Sequence, residues 1–354
     1  MKKLKTSPGI LDVAKAAGVS PTTVSRVFSN PTRVSKKTRE QVAAVMAKMG
    51  YVPNASAQNL RNLRTHRILI LVPDIANPFF GAIIKGAEAA AKTAGYSVIV
   101  GDIGGDRERE EHYARMLLRR EVDGMIFLSE RVPPALKALV AEKGYAAPIV
   151  NGCEFSLRHK VNSVHIDNVA AGAMVIQYLR DLGHKQVAVI TGPAKTPITK
   201  DRMAGCRSVL SETAQKQLLV RDSDYSIASA VDITRDLLQR KKRPTALFCF
   251  SDELAMGALF AIREAGLRSP QDVSVVGFDN IRFTAFTDPP LTTVAQPMWE
   301  LGITMVDCLL KTLAGGAEKQ GRSEPKQEKQ EKQSITLATE LIVRGSTAPP
   351  GNAR

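Results

Sequence analysis

Cysteine is scarce in this 354-residue chain, and its spacing excludes two kinds of site. The four cysteines are Cys153, Cys206, Cys249 and Cys308, with no C-x-x-C pair and no histidine beside them. Structural zinc sites and disulfide frameworks show closely spaced cysteines or cysteine-histidine sets, so neither is expected. We predict inert, buried thiols in a reducing cytoplasm.

Long hydrophobic runs are also missing. No apolar stretch approaches the roughly 20 residues that a membrane-spanning helix needs. The segment MKKLKTSPGI at residues 1–10 is basic, but no hydrophobic segment follows it, so export through a signal peptide is not expected.

Motifs for catalysis are absent as well. The sequence has no G-x-S-x-G, no phosphate-binding glycine loop and no histidine cluster with metal-ligand spacing. His165 near Asp167 is the one suggestive pair among five scattered histidines, and a position at the end of a strand explains it better. We therefore expect no catalytic residues, no metal and no cofactor.

What the chain does have is a concentration of positive charge near its start. Residues 1–67 hold thirteen lysines and arginines against two acids, which is +11 of the total +14. A small basic segment ahead of a large, nearly neutral body predicts a nucleic-acid-binding head on a separate module.

The pattern within this head predicts a helix-turn-helix. An apolar i, i+3, i+4, i+7 pattern predicts a helix over Ile10–Ala17, and Gly18 permits a tight turn. Ser20 is a good N-cap and Pro21 suits the first position of a second helix. A third helix is predicted over Ser35–Met49. The second helix of such a motif enters the DNA major groove.

The second helix is expected to bury one face. Val24, Val27 and Phe28 are predicted to point to the core. The alternative is a three-helix bundle that contacts only protein, but a basic face with few acidic partners weighs against it.

The rest of the chain predicts a two-lobed α/β body. Apolar strands such as RILILV and VSVVGFD alternate with helices, which is typical of doubly wound parallel sheets. There are too many strand-helix units for one compact sheet, so two similar lobes are expected. Ligands bind such folds beyond the carboxyl ends of the strands. The polar residues at those ends are Asp74, Asn77, Asp167, Asn168, Ser251, Asp252, Asp279 and Asn280. For Asp167 and Asp252 a plain helix-capping role stays open.

The head resembles the lactose/galactose-repressor (LacI/GalR) family of bacterial transcription regulators. The resemblance is carried by VAKAAGVSPTTVSRV, RVSKKTREQV and MGYVPNASAQNLR. It implies base-reading positions at Pro21, Thr22, Arg26, Ala57 and Leu60, with Leu60 as a minor-groove wedge in a hinge helix. It implies phosphate contacts from Ser20, Thr23, Ser25, Ser29, Ser35 and Thr38.

The body resembles the type I periplasmic sugar-binding fold that this family uses to sense effectors. The motifs are DIANPFF, HIDN, SDELAMGAL, VVGFDN and PPLTTVAQP. By position, the resemblance implies an effector site at Asn77, Phe79, Arg202, Tyr225, Ser251, Asp279 and Gln296. Many members have Asn where this chain has Ser251. The motifs are most similar to the cytidine-regulator branch, which favours a nucleoside or pentose effector.

These observations divide the chain and predict its function. The predicted parts are 1–53, the helix-turn-helix domain; 54–66, a hinge helix and linker; 67–347, the effector-binding and dimerisation body, with a polar flexible insertion at 315–334; and 348–354, a disordered tail. We predict a cytoplasmic, nucleoid-associated repressor that binds a pseudo-palindromic DNA operator as a homodimer or higher oligomer and responds to a small sugar or nucleoside. The alternative is a solute-binding receptor without regulatory DNA binding. Such a receptor would not need the basic head.

Overall fold

The computed structural model describes residues 8–52, 64–153, 160–318 and 332–351. Contacts between Cα atoms divide the chain into two compact units, Met1–Thr65 and His66–Arg354. All four cysteines are free thiols. None of the described helices is long and apolar enough to cross a membrane.

The first unit contains three helices, α1 (Ile10–Ala16), α2 (Pro21–Ser29) and α3 (Lys36–Met49). The side chain of Ser20 accepts a hydrogen bond from Thr23 N, and Ser35 caps α3 in the same way. These bonds satisfy amide groups that have no partner within the helix, which fixes where α2 and α3 begin.

A small apolar core holds the three helices together. Its buried members are Val13, Ala14, Ala17, Val24 and Val42. The expectation for Phe28 was wrong, because its side chain is 37 % exposed. A nine-residue helix at the edge of so small a core buries only a narrow stripe, and Val24 and Val27 already fill it.

The second unit is built from two six-stranded sheets. Its strands are β1 (Arg67–Val72), β2 (Ser97–Asp102), β3 (Gly124–Phe127), β4 (Ile149–Gly152), β5 (Asn162–Ile166), β6 (Val187–Thr191), β7 (Leu219–Asp222), β8 (Ala246–Cys249), β9 (Ser274–Asp279), β10 (Thr292–Ala295), β11 (Ser334–Leu337) and β12 (Glu340–Ile342). Lobe A has the order β11-β5-β4-β3-β1-β2 and lobe B the order β12-β10-β9-β8-β6-β7. The strands pair in parallel except that β12 runs antiparallel to β10.

Helices cover both faces of each sheet. They are α4 (Pro78–Thr93), α5 (Arg107–Leu118), α6 (Lys137–Lys143), α7 (Asn168–Asp181), α8 (Pro197–Ser208), α9 (Glu212–Gln217), α10 (Ile227–Leu238), α11 (Asp252–Glu264) and α12 (Met298–Glu318). In lobe A, α4 and α12 pack on one face of the sheet, and α5 packs on the other. In lobe B, α7 and α8 cover one face, and α10 and α11 cover the opposite face. Burial on both faces explains the continuous apolar strands.

The chain passes between the lobes three times. It crosses after β5, again between β10 and α12, and a third time between β11 and β12. Each lobe is therefore built from separate stretches of sequence. The predicted α/β class, with an all-α head and a two-lobed body of largely parallel sheets, is confirmed.

Two predicted irregular segments are shorter in the structure. Helix α12 continues to Glu318, and β11 begins at Ser334, so both ends of the predicted insertion 315–334 are regular. Glycine is unfavourable inside a helix, but helix propensity is a weak preference, and the helix continues through Gly315 and Gly316. Residues 319–331 lie outside the described residues.

The predicted disordered tail is ordered as far as Gly351. The carbonyl oxygen of Ala348 accepts hydrogen bonds from His184 Nε2 at 3.0 Å and from Ser274 Oγ at 3.1 Å, and Ala348 N donates to Ser274 Oγ. The sequence pattern does not reveal this contact, because Ala348 makes it through its backbone N–H and carbonyl groups and the neighbouring side chains have little apolar surface. Residues 352–354 lie outside the described residues.

Candidate functional site

The first unit presents an exposed polar surface along α2. Pro21, Thr22 and Arg26 are all exposed, and the helical spacing of Thr22 and Arg26 puts both on the side of α2 away from the buried Val24. These three predicted base-reading residues are therefore accessible. The other two, Ala57 and Leu60, lie outside the described residues.

Two serine-threonine pairs mark the starts of α2 and α3. Ser20 Oγ lies 2.8 Å from Thr23 Oγ1, and Ser35 Oγ lies 2.8 Å from Thr38 Oγ1. Each pair stands at a helix N-terminus, where backbone N–H groups and the helix dipole attract anions such as phosphate. Ser25 is half-buried, and the side chain of Ser29 lies outside the described residues.

The second unit contains a cavity of about 520 Å³ lined by residues of both lobes. All seven predicted effector-site residues line it: Asn77, Phe79, Arg202, Tyr225, Ser251, Asp279 and Gln296. Asn77 and Ser251 follow β1 and β8, Asp279 ends β9, and Gln296 follows β10. The cavity thus lies beyond the carboxyl ends of the strands, as this type of fold predicts.

Arg202 lines the cavity, is 4 % exposed and is held by several contacts. Its Nε donates to Asn168 Oδ1 at 2.8 Å, and its Nη1 donates to the carbonyl oxygen of Phe250 at 2.7 Å. The guanidinium lies 3.5 Å from the ring centroid of Phe278, within the range of a cation–π contact. These contacts leave its remaining donors in a fixed orientation.

Asp279 is the central acid of the cavity. It is 7 % exposed, and Oδ1 accepts a hydrogen bond from Gln296 Nε2 at 2.7 Å. Its backbone φ of 115° is rare for a side-chain-bearing residue, and strain of this kind gathers at functional sites. Burial raises the pKa of Asp279 well above its usual value, the charge of Asp252 raises it further, and Arg202 opposes both.

Asp252 lies behind Asp279 and supports the cavity wall. Its Oδ1 accepts from Thr293 Oγ1 at 2.6 Å and its Oδ2 from Ile281 N at 2.8 Å. Burial raises the pKa of Asp252 to about 7, although these two hydrogen bonds lower it. The carboxylate bridges β10 and the segment after β9, and it is not an N-cap of α11.

Several polar residues at the strand ends are helix caps. Asn77 Oδ1 accepts from Phe79 N at 2.9 Å, and Ser251 Oγ accepts from Leu254 N at 3.2 Å. Asp167 Oδ1 accepts from Ala170 N at 2.8 Å, so the capping role left open for Asp167 is the one observed. Asn77 still has an NH₂ group that its capping bond does not use.

The ring of Tyr225 occupies space that is open only because residue 192 is a glycine. A Cβ atom at Gly192 would lie 2.1 Å from the Tyr225 ring. Tyr225 itself has φ of 68°, in the left-handed region. The position of the aromatic ring at the cavity therefore depends on two features: the strained backbone of Tyr225 and the absence of a side chain at Gly192.

Sequence reasoning missed part of the cavity wall. The lining residues that the sequence did not indicate include Phe80, Cys153, Ile166, Ile198, Asp224, Ile227, Phe250 and Glu253, whereas Asp74 and Asn168 are among the predicted strand-end residues. Phe250 stands directly after β8, so the strand-end rule contained a signal for it. Ile198 and Ile227 lie in the first turns of α8 and α10, where nothing in the pattern separates a cavity wall from an ordinary core.

Comparisons with known proteins place this arrangement. Residues 65–339 match the family of periplasmic binding proteins and sugar binding domain of LacI family. Residues 9–54 match the bacterial regulatory proteins, lacI family. The chain belongs to the LacI family. The predicted family membership is confirmed by these matches, which together span the head and most of the body.

The relatives within the LacI family are regulators of transcription. The chain is 36 % identical to the HTH-type transcriptional repressor CytR of Escherichia coli (strain K12) over 349 residues, 98 % of each chain. It is 37 % identical over 346 residues to the HTH-type transcriptional regulator DegA of Bacillus subtilis (strain 168), covering 96 % of this chain and 98 % of the relative. These relatives are DNA-binding regulators, and the similarity to CytR agrees with the branch that the motifs indicated.

A solved structure of similar fold holds both an operator and a small molecule. The lac repressor dimer bound to operator and the anti-inducer ONPF has a TM-score of 0.84 and 30 % sequence identity, covering 97 % of this chain and 100 % of that chain. A LacI family regulator from Enterococcus faecium with bound ribose has a TM-score of 0.68 and 29 % identity, covering 80 % of this chain and 99 % of that chain.

Proposed function

We propose that this LacI family protein is a ligand-responsive repressor that binds a pseudo-palindromic operator as a homodimer. One observation carries the proposal: a single chain combines an exposed recognition helix with a cavity that collects all seven expected effector-site residues. A receptor without DNA binding has no use for the first feature. One helix-turn-helix reads only a few base pairs, so two copies are needed for useful specificity.

In the head, we assign sequence reading to α2. Arg26 is suited to donate two hydrogen bonds to guanine O6 and N7 in the major groove. Thr22 has a shorter side chain that is suited to contact a base edge. The Ser20–Thr23 and Ser35–Thr38 pairs are suited to phosphates, which set the register of the head on DNA. Ala57 and Leu60 belong to the proposed hinge, residues 54–66, and we assign them to the minor groove.

In the body, residues 67–347, we assign effector binding to the cavity. Asp279 and Gln296 offer acceptors and donors for ligand hydroxyls, and Arg202 offers fixed donors. Phe79 and Tyr225 offer aromatic faces to a sugar or base ring. Asn77 and Ser251 contribute polar groups at the ends of helices.

We assign the switch to a change in the arrangement of the two lobes. Asn77 and Phe79 belong to lobe A, whereas Arg202 and Asp279 belong to lobe B. A ligand that touches both lobes favours one arrangement over another, and such a difference in affinity is what allosteric coupling requires.

The proposal extends to where and how the protein works. A chain that acts by binding DNA and a small molecule needs no catalytic group, so we propose that it is not an enzyme. We place its action in the cytoplasm at the nucleoid, where the DNA is.

The experiment that tests the proposal selects DNA sites from a random pool with the full-length protein. We expect enrichment of a site with two related half-sites. Recovered DNA without repeated half-sites, or without any shared sequence, would overturn the proposal. Adding each member of a panel of sugars and nucleosides to the selected complex then tests the switch, and we expect at least one to change the dissociation constant for DNA about fivefold or more.

A further inference from the structure

The wall of the cavity carries an excess of carboxylates. Asp74, Asp224, Glu253 and Asp279 line it, and Arg202 is the single cation among the described lining residues, which include no lysine or histidine. Even with a proton on Asp279, three lining carboxylates stand against one guanidinium; Glu253 is half-buried, whereas Asp74 and Asp224 are exposed and their charges are screened by solvent. A ligand that brings its own negative charge meets net repulsion.

Arg202 is the one cation that could offset these carboxylates, and two of its five donors are already used. Its Nε donates to Asn168, and one N–H of Nη1 donates to Phe250. The side-on pair of donors is therefore lost, and an anion could use only the end-on pair formed by Nη1 and Nη2.

The helix N-termini around the cavity offer fewer N–H groups than an uncapped helix start. A phosphate at a helix start is bound by backbone N–H groups that have no partner within the helix, and a capping side chain takes one of them. Here the side chains of Asn77, Ser226 and Ser251 accept first-turn N–H bonds of α4, α10 and α11. The first residues of α4 and α8 are Pro78 and Pro197, which have no N–H to offer.

Two of the carboxylates belong to opposite lobes. Asp74 follows β1 in lobe A, and Glu253 stands in the first turn of α11 in lobe B. Burial raises the pKa of Glu253, and the negative charge of Asp74 raises it further. A phosphate between them would add to a repulsion that already exists.

The rest of the wall is apolar and aromatic. Phe79, Phe80, Phe250 and Tyr225 line the cavity together with isoleucine side chains. Such surfaces favour the flat or apolar face of a ring over a hydrated anionic group, which is costly to desolvate.

We infer that the cavity takes an uncharged or cationic sugar or nucleoside and rejects its phosphorylated form. This inference rests on the proposed function and narrows the class of effector. The excess charge predicts that a phosphate weakens binding about tenfold or more at low ionic strength, and by less at high salt.

The test compares matched neutral and phosphorylated ligands on the full-length protein. The probes are ribose, cytidine, uridine and adenosine, each alongside its 5-phosphate or 5′-monophosphate, measured by thermal shift and then by calorimetric titration at about 50 and 300 mM salt. We expect at least one neutral probe to bind and its phosphorylated partner to bind about tenfold or more weakly, with a smaller gap at high salt.

Variants connect the result to the carboxylates. Glu253→Gln and Asp74→Asn each remove one negative charge from the wall. Each is expected to reduce the ratio of the affinity for a neutral probe to the affinity for its phosphorylated partner. Glu142→Gln removes an exposed carboxylate on α6, outside the lining residues, and is expected to leave the ratio unchanged.

Three outcomes would overturn the inference: a phosphorylated probe that binds as tightly as its neutral partner, a ratio unaffected by both wall variants, or a panel in which no neutral probe binds. The proposed function fails separately. If a neutral probe binds with the expected preference but leaves DNA affinity unchanged, the inferred ligand class is supported and the proposed switch is overturned. If a phosphorylated probe binds best and changes DNA affinity, the proposed switch is supported and the inferred ligand class is overturned.

Discussion

Replacing Asp279 with alanine is expected to separate ligand sensing from DNA binding. The carboxylate is almost fully buried, accepts from Gln296 at 2.7 Å and faces the cavity with its neighbours Arg202 and Tyr225. A hydrogen bond contributes roughly 0.5–1.5 kcal/mol when both groups are neutral and roughly 1.5–3 kcal/mol when one is charged. Loss of one bond to the ligand therefore lowers affinity about 2- to 10-fold if Asp279 is protonated and about 10- to 150-fold if it is ionised.

The cost to the fold is expected to be smaller. Burial raises the pKa of Asp279, which means that the folded protein holds this carboxylate against an unfavourable desolvation. Removing it relieves that cost and offsets part of the cavity left behind, so the free energy of unfolding at pH 7 should change by less than about 2 kcal/mol.

The assay uses the strongest neutral ligand of the panel. Calorimetry gives the affinity of the Asp279→Ala protein for that ligand, and fluorescence anisotropy gives its affinity for the selected DNA site with and without ligand. DNA binding should persist and lose its response. Asp307→Ala, an exposed carboxylate on α12 outside the cavity wall, is the matched control. A normal ligand response in Asp279→Ala would show that the effector site lies elsewhere.

Three further predictions test other parts of the molecule. Arg26→Ala should weaken binding to the selected site by about 1–3 kcal/mol while retaining weak, salt-sensitive DNA binding, and the exposed Lys48→Ala control should keep site preference in the same anisotropy assay; equal losses in both would refute base reading by Arg26. Gly192→Ala should displace the Tyr225 ring, destabilise the fold by about 1–3 kcal/mol in urea unfolding and weaken ligand binding; unchanged ligand affinity would contradict the placement of the ring. Because the folded-state pKa of Asp252 is raised to about 7, its protonated form stabilises the fold below the unfolded pKa of about 4, and this stability is lost as pH rises to 7. Asp252→Asn cannot ionise and should flatten the fall in unfolding free energy between about pH 4 and 7, and an equally steep fall in the variant would refute the ionisation of Asp252.

Local signals in the sequence were sufficient where one residue decides a conformation. Ser20 followed by Pro21 specifies a helix start by capping chemistry alone, and α2 begins at Pro21. Apolar strands followed by polar residues located the cavity rim, because parallel strands bring their carboxyl ends to one edge. The specific residues Arg202 and Tyr225 came from family resemblance, since no local pattern marks them.

The remainder depends on contacts between distant segments. Ser346 is fully buried because Val275 and Thr292 bond to its side chain, and Ala348 is fixed by His184 and Ser274. A run of small polar residues does not reveal such partners. For Phe28 the sequence predicted burial that the structure does not show. The pattern of apolar residues marks one side of the helix, but it does not indicate how much of that side a small core covers.

The three passages of the chain between the lobes also bear on how the protein is made. Strand β11 completes the edge of lobe A beside β5, and β12 completes the edge of lobe B beside β10, yet both strands lie within residues 334–342. On the ribosome, neither sheet can acquire these edges until that short stretch has been synthesised. A premature stop anywhere before Ser334 would therefore leave two incomplete sheets rather than one intact lobe and one damaged lobe. The cavity wall, whose last residue is Gln296, is synthesised before either sheet is complete.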